Sequence, residues 1–475
     1  MGAKKIVLNK PTPHYFSEKI ENIQTNSPTW MIEALPIQRE RRELMETGAR
    51  IKYHRIKKKM SVEELASGII STRELKKIES GDKSPSLEDL QALCKKLGIS
   101  LAPKDNPIGK VLVKNFKSSL LHPQNKGKIM EQYADIHGHP LLHVDEDIEL
   151  EYCVQQIRYF IITGDLDSAE EKIKEMDRFK EFMNQEQFYL FHKYIGNYHY
   201  ILNDFENALK TYLLSERISP PSLGASELGD LYYSIGISAT QCWQITMANK
   251  YSKLALKIYQ QEFVPKRIVE CHLNIAINER RVGNFKTAKE HFRNAFTIGN
   301  KIDNDFLKFN TEYNYGYYYY QLQNFKAAII HLENALQYVP DEYTSDLILD
   351  YCVLIKCHIE LKNLDAAKEI LLKGYKIIKD KNISIDSPSN AHFKEVYTEF
   401  TCLNYFVNDN IEKFEEFLVD NLIPILKSHN KHFEMGFYYE HLGNSYMELG
   451  QFKQSALALT KAKQAYKDLM TINEE

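Results

Sequence analysis

The side chains of this 475-residue chain are better suited to holding ligands than to breaking bonds. No G-x-S-x-G, H-E-x-x-H or phosphate-cradling G-x-x-x-x-G-K-[ST] occurs, and the histidines lie scattered without a matching nucleophile. Two other kinds of chemistry stand out. Between Ile37 and Ser100 fifteen Lys and Arg face ten Asp and Glu, although the whole chain carries a formal charge of −3. A basic segment on an otherwise acidic chain points to nucleic acid at the segment and to another ligand elsewhere. The remainder is rich in Asn and Tyr. An Asn amide can donate to a backbone carbonyl and accept from a backbone N–H at once. Tyr gives broad contact area at low entropic cost, and Arg or Lys can take a carboxylate. That combination fits an extended peptide.

The elements that must position these residues are legible around Asn314–Pro340. Gly316, Tyr319, Phe325, Ala328, Leu332, Ala335 and Pro340 read as two helices with a tight turn at Gln323-Asn324, closed by a proline that cannot continue a helix. The same skeleton recurs through Gly196, Phe205, Ala208 and Tyr212, through Ala276, Phe285, Ala288 and Phe292, and through Gly443, Phe452, Ser455 and Leu459. The chain resembles the tetratricopeptide repeat. The anchors Ile157, Gly196, Gly236, Ala276, Gly316, Ile355, Cys402 and Gly443 lie about 40 residues apart, against about 34 in the standard motif, so helices or connectors are longer than usual. The resemblance implies an all-α, right-handed solenoid whose first helices line a concave surface. On that surface it places Lys193, Asn197, Tyr233, Gln241, Asn274, Arg280, Arg281, Asn310, Tyr313, Asn314, Tyr317, Gln321, Lys356 and Asn444 as peptide-binding candidates. Of Tyr317 to Tyr320, at least two must be core.

Residues 48–98 read as four short helices. Ser61 and Glu64 make a capping box, Gly81 closes the third helix, and Ser84-Pro85-Ser86 opens the fourth. Leu65, Ala66, Leu75, Ile78, Leu87, Leu90, Leu93, Cys94 and Leu97 face inward. The order of Leu65-Ala66, Ile78-Glu79-Ser80-Gly81, Pro85-Ser86-Leu87 and Leu97-Gly98-Ile99 resembles the lambda-repressor or Xre-type helix-turn-helix. That resemblance implies that the third helix enters the major groove. It places Thr72, Arg73, Lys76 and Lys77 at DNA and Ser61 and Lys83 near flanking phosphates. Arg55 and Glu79 match a structural ion pair.

The expected division is an N-terminal arm at 1–46, the helix-turn-helix at 47–102, a linker at 103–148 and the repeats at 149–475. The linker reads as two helices, near Gly109–Leu121 and Lys126–Ile136. Its histidines His137, His139 and His143 lack a completing ligand set, and no cofactor or metal is expected. The seven unpaired cysteines suit reduced thiols in a cytoplasmic protein, and no apolar run is long enough for a membrane span. An Xre-type head followed by long repeats resembles the Rap–Rgg–NprR–PlcR–PrgX family of peptide-pheromone receptors. This implies a cytoplasmic, homodimeric or larger quorum-sensing transcriptional regulator that binds operator DNA and a short signalling peptide. The alternative is a repeat-domain adaptor for a protein such as a response regulator, with DNA binding as a second output. Neither reading is enzymatic.

Overall fold

The computed structural model describes residues 46–102, 104–121, 123, 125–139, 142–339, 343–381 and 391–471. Residues 1–45 of the arm, whose Ile37–Met45 stretch reads in sequence as a short basic helix, and Pro340 lie outside them. The described residues hold helices and no strand. The head comprises α1 (Thr47–Lys57), α2 (Val62–Ala66), α3 (Thr72–Glu79) and α4 (Leu87–Leu97). The next two, α5 (Pro107–Leu121) and α6 (Lys126–His137), precede the array. The array then runs through α7 (Glu146–Thr163), α8 (Leu166–Asp177), α9 (Gln185–Ile201), α10 (Phe205–Ile218), α11 (Ala225–Gln241) and α12 (Ile245–Gln261). It continues through α13 (Pro265–Arg281), α14 (Phe285–Gly299), α15 (Asp305–Gln321), α16 (Phe325–Ala335), α17 (Thr344–Glu360) and α18 (Leu364–Asp380). It ends with α19 (Ala391–Val407), α20 (Ile411–Phe417), α21 (Ile423–Ser428), α22 (His432–Glu448) and α23 (Phe452–Thr471). A π-helical turn at Leu418–Leu422 bridges α20 and α21.

Each hairpin of the array is made by the same local chemistry. Seven residues after each anchor the backbone turns left-handed, at Gly164, Asn203, Trp243, Gly283, Gln323, Lys362, Asp409 and Gly450. The next residue's N–H then donates back to the first helix, as Asp204 does to the His199 carbonyl and Asn324 to that of Tyr319, both at 2.9 and 3.0 Å. This satisfies a carbonyl that the helix end would leave free. The same residue caps the second helix, most often as Asp or Asn, with its side chain accepting from the N–H three residues on at Asp165, Asp204, Asn324, Asn363 and Asn410.

The glycine anchors let the paired helices touch. A Cβ on Gly196 would lie 2.7 Å from the Tyr212 ring, on Gly316 2.8 Å from Leu332, and on Gly443 2.7 Å from Leu459. In each case the opposing residue stands sixteen positions later. The length beyond the standard repeat lies in the helices: α9, α11, α13, α15, α17, α19 and α22 each span 17 residues. Of the tyrosine run, Tyr318 and Tyr320 are core and Tyr317 and Tyr319 are half-buried.

Segment 103–148 carries the two expected helices, and they pack. Val113, Phe116, Leu120, Ile129 and Ile136 lie against Ile148, Tyr152 and Tyr159 of α7, and Tyr133 stacks on Tyr159 at 3.8 Å. In the head, Leu65, Leu75, Ile78, Leu93 and Leu97 form the small core. Leu87, expected inward, is 67% exposed because it is the first residue of α4, before that helix meets the core.

Replacing Gly316 by Val must push Leu332 and the backbone at Ala328 away. We expect this to cost about 1–3 kcal/mol, the usual penalty of overpacking, and to lower the thermal midpoint in calorimetry. An unchanged midpoint would mean that the hairpins are not set by this contact.

Candidate functional site

The head presents one polar face. Ser71 caps α3 by accepting from the Glu74 N–H, and Leu75 and Ile78 bury the opposite side. Thr72, Arg73, Lys76 and Lys77 are therefore left together and exposed. Ser61 caps α2 by accepting from the Glu64 N–H at 3.0 Å, while Lys83 is exposed and paired with Glu74. Arg55 holds Glu79 through two bonds of 2.7 and 2.8 Å and also reaches the Met60 carbonyl. This ties α1 to the end of α3 and fixes the angle at which the exposed residues are offered.

The basic side of α1 is the joint to the array. Arg50 donates to Glu146 at 2.6 Å and to the Ser100 carbonyl at 2.7 Å, and His54 meets the same Glu146 at 2.8 Å. Lys57 and Tyr53 both hold Glu149, at 2.5 and 3.1 Å. The Tyr53 ring packs between Phe179 and Phe182. The signal for this joint was in the sequence as two complementary stripes. Arg50, Tyr53, His54 and Lys57 stand at helical spacing, opposite the acid-rich start of α7.

In the array the expected ligand contacts divide by burial. Lys193, Asn197, Asn274 and Lys356 are buried and already partnered. Lys193 holds Glu227 at 2.5 Å and Asp230 at 2.8 Å, and Arg267 reaches Asp230 at 3.0 Å while covering the Tyr233 ring. Burial pushes the Asp230 carboxyl up, but Lys193, Arg267 and Arg158 outweigh it and hold it below its ordinary value. Asn197 accepts from Tyr212 at 2.6 Å, and Asn274 donates to Ser252 at 2.8 Å. Lys356 donates to Glu399 at 2.8 Å. Lys193, Asn274 and Lys356 brace one repeat against the next, and Asn197 ties the two helices of its own hairpin. The acidic halves, Glu227, Asp230 and Glu399, escaped the sequence reading because each lies one repeat away from its cation.

The others stand nearer the surface. Gln241 and Asn444 are exposed, and Tyr233, Asn310, Tyr313, Asn314, Tyr317 and Gln321 are half-buried. Asn310 and Asn314 donate to carbonyls of their own helix, at Phe306 and Asn310. Arg280 donates to Gln321 at 2.6 Å and lies 4.5 Å above the Tyr317 ring. Arg281 donates to the Thr240 carbonyl at 2.5 Å and lies 4.3 Å above Trp243. Burial, with the neighbouring Arg280, pulls the Arg281 guanidinium down to about 10, against the influence of Tyr317 and Glu434, so it stays charged near neutrality. Among the described residues no group of three or more His, Cys, Asp or Glu could hold a metal ion, and no helix is long and apolar enough to cross a membrane.

Comparison with known proteins agrees in both parts of the chain. A helix-turn-helix family model matches residues 51–103, and a tetratricopeptide repeat model matches residues 313–342. The transcriptional activator NprA of Geobacillus stearothermophilus is 26% identical over 422 residues, which is 86% of this chain and 100% of that relative. Its alignment runs through head and repeats together. In both parts the chain is similar to the Rap–Rgg–NprR–PlcR–PrgX family. The fold agrees with that of the apo form of the quorum sensor NprR from B. thuringiensis, with a TM-score of 0.61, 20% identity and coverage of 75% of this chain and 98% of that one. NprR in complex with its cognate peptide NprX gives a TM-score of 0.57 at 20% identity, covering 78% of this chain and 99% of that one. The chain thus combines a docked head with a polar repeat surface.

Among the described residues, Asp350 on α17 is a fully buried carboxyl left unsatisfied. Both Asp350 carboxyl oxygens lack a hydrogen-bond partner, and the residue is fully buried. Burial pushes the Asp350 carboxyl's pKa well above the ordinary carboxylate range. In the unfolded chain the carboxyl ionises near pH 4. Folding therefore loses stability as pH rises above that value, and loses none below it. Asp350→Asn should raise the thermal midpoint at pH 7, with the gain shrinking toward pH 4. A lower midpoint at pH 7 would mean that Asp350 has a partner in solution.

Proposed function

We propose that this protein is a cytoplasmic quorum-sensing transcriptional regulator. In this reading α3 reads operator DNA, and the inner surface of the array binds a short signalling peptide that alters the head's affinity for DNA. The observation that carries it is the union of two binding surfaces in one body, with exposed Thr72, Arg73, Lys76 and Lys77 held through α1 to the first repeat. Arg can hold guanine O6 and N7 together, and Lys can reach base or phosphate. Ser61 and Lys83 flank that face. A head of this type reads one half-site, so the active form is a homodimer or a larger homo-oligomer.

On the array the ligand surface is built by Tyr233, Gln241, Arg280, Arg281, Asn310, Tyr313, Asn314, Tyr317, Gln321 and Asn444. Lys193, Asn197, Asn274 and Lys356 contribute by fixing its walls. The relative named as a transcriptional activator, and the quorum sensor NprR solved with its cognate peptide, support the reading.

Two measurements test it. Replacing Arg73 and Lys76 by Glu should abolish binding to operator DNA selected from a random pool, with the helical content and melting of the protein unchanged. Retained affinity would remove α3 from the groove. Protein purified gently from its own host should release a single peptide of about five to ten residues on denaturation, the length that an extended strand needs to cross several repeats at about 3.3 Å per residue. A partner protein with no peptide would favour an adaptor.

A further inference from the structure

Two residues far apart in the chain meet inside the array. Tyr317 on α15 donates through its hydroxyl to Glu434 on α22, 117 residues later. Both lie on first helices of their hairpins, the helices that line the inner side of a solenoid. The contact therefore bridges the fifth and eighth hairpins across the concave face. It is reinforced at both ends. Phe433 and Phe437 lie 5.7 and 6.4 Å from the Tyr320 ring, and His441 meets Glu360 at 3.0 Å. Glu434 is only 8% exposed.

The other face of the Tyr317 ring carries Arg280, whose Nε is buried and has no partner. Next to it, Arg281 is charged, desolvated and held only by the Thr240 carbonyl and the Trp243 ring. Among the described residues neither guanidinium has a carboxylate within ion-pair distance, whereas the buried Lys193 and Lys356 and the half-buried Arg267 each do. Glu434 is near enough to favour the charged form of Arg281 without bonding to it. A half-buried cation pair with an unpartnered Nε donor is matched by a carboxylate, which can accept two parallel N–H bonds from a guanidinium.

We propose that Arg280 and Arg281 receive a carboxylate of the bound peptide, and that Glu434 is its built-in competitor. In the ligand-free chain Glu434, through Tyr317, draws α22 over the cation pair and closes the groove beyond the fifth hairpin. An incoming carboxylate replaces Glu434 as the negative charge beside the pair and releases α22. This rests on the peptide-receptor reading, and the ligand class it adds is a peptide with an unblocked acidic group, at its C terminus or on a side chain.

The probe is the peptide extract of culture medium from the organism that makes the protein, used untreated and with its carboxyl groups methyl-esterified. Full-length protein should retain a peptide from the untreated extract, and at least tenfold less of it from the esterified one. Amidating only the C terminus of that peptide then tells the terminal carboxylate from a side chain. Arg281→Gln should lose retention while Arg281→Lys keeps part of it. Glu434→Gln, which preserves shape, should retain about threefold more than the parent. Equal retention after esterification would overturn the carboxylate anchor and leave the peptide reading standing. Unchanged retention by Glu434→Gln, with an unaltered melting curve, would overturn the competitor. Retention of no peptide from either extract would overturn both the anchor and the reading on which it rests.

Discussion

The structure depends on a close contact between paired helices, tightest at the four glycine anchors Gly196, Gly236, Gly316 and Gly443. A small residue on the first helix of a hairpin faces a larger one sixteen positions later, and a left-handed residue between them turns the chain back. The contact matters because a helical hairpin cannot bury its apolar face alone. Only when both helices approach at a fixed angle does the next hairpin find a complementary surface, and the core then runs on without a break. Three of the eight turns use glycine, which takes positive φ without strain. Trp243 and Lys362 hold the same conformation against their own preference, so the surrounding hairpin must impose it.

That regular frame carries an irregular set of charges. Lys193 with Glu227 and Asp230, and Lys356 with Glu399, cross from one hairpin to the next. Removing one partner of such a buried pair costs about 3–5 kcal/mol, because the other charge is stranded. Replacing both by well-packed apolar groups can be neutral. Their value is therefore one of geometry, since they fix how successive hairpins rotate. The joint to the head works in the same way. Arg50 and His54 share Glu146, and Tyr53 and Lys57 share Glu149, so the head is held by the first turns of α7. A ligand that changes the pitch of the array has, through this joint, a physical route to the exposed face of α3.

Much of this was legible in the sequence because it is local. The capping box of Ser61 and Glu64, the bidentate Arg55–Glu79 pair, the repeat anchors and the burial of Tyr318 and Tyr320 follow from spacing along single helices. What was not legible depends on superhelical geometry. Periodicity gave the inner face of each first helix, but not which inner residues are covered by the neighbouring hairpin, so Lys193, Asn274 and Lys356 read as open ligand contacts and are buried. It left Arg50 without its acidic partner 96 residues away. It gave Tyr317 without Glu434, because the bridge between them exists only once the array has curled. Leu87 misled for a simpler reason, since an apolar residue at a helix start can precede the buried stripe.

The central claim is that DNA face and ligand surface are coupled through the α1–α7 joint. The most direct measurement is the affinity for selected operator DNA, by fluorescence anisotropy, with the cognate peptide stripped and restored, in the parent and in a Glu146→Gln, Glu149→Gln double variant. The account predicts that the peptide changes the parent's affinity by about fivefold or more, the usual scale of such coupling, and changes the variant's far less. An equal response in both proteins, or none in the parent, would contradict it.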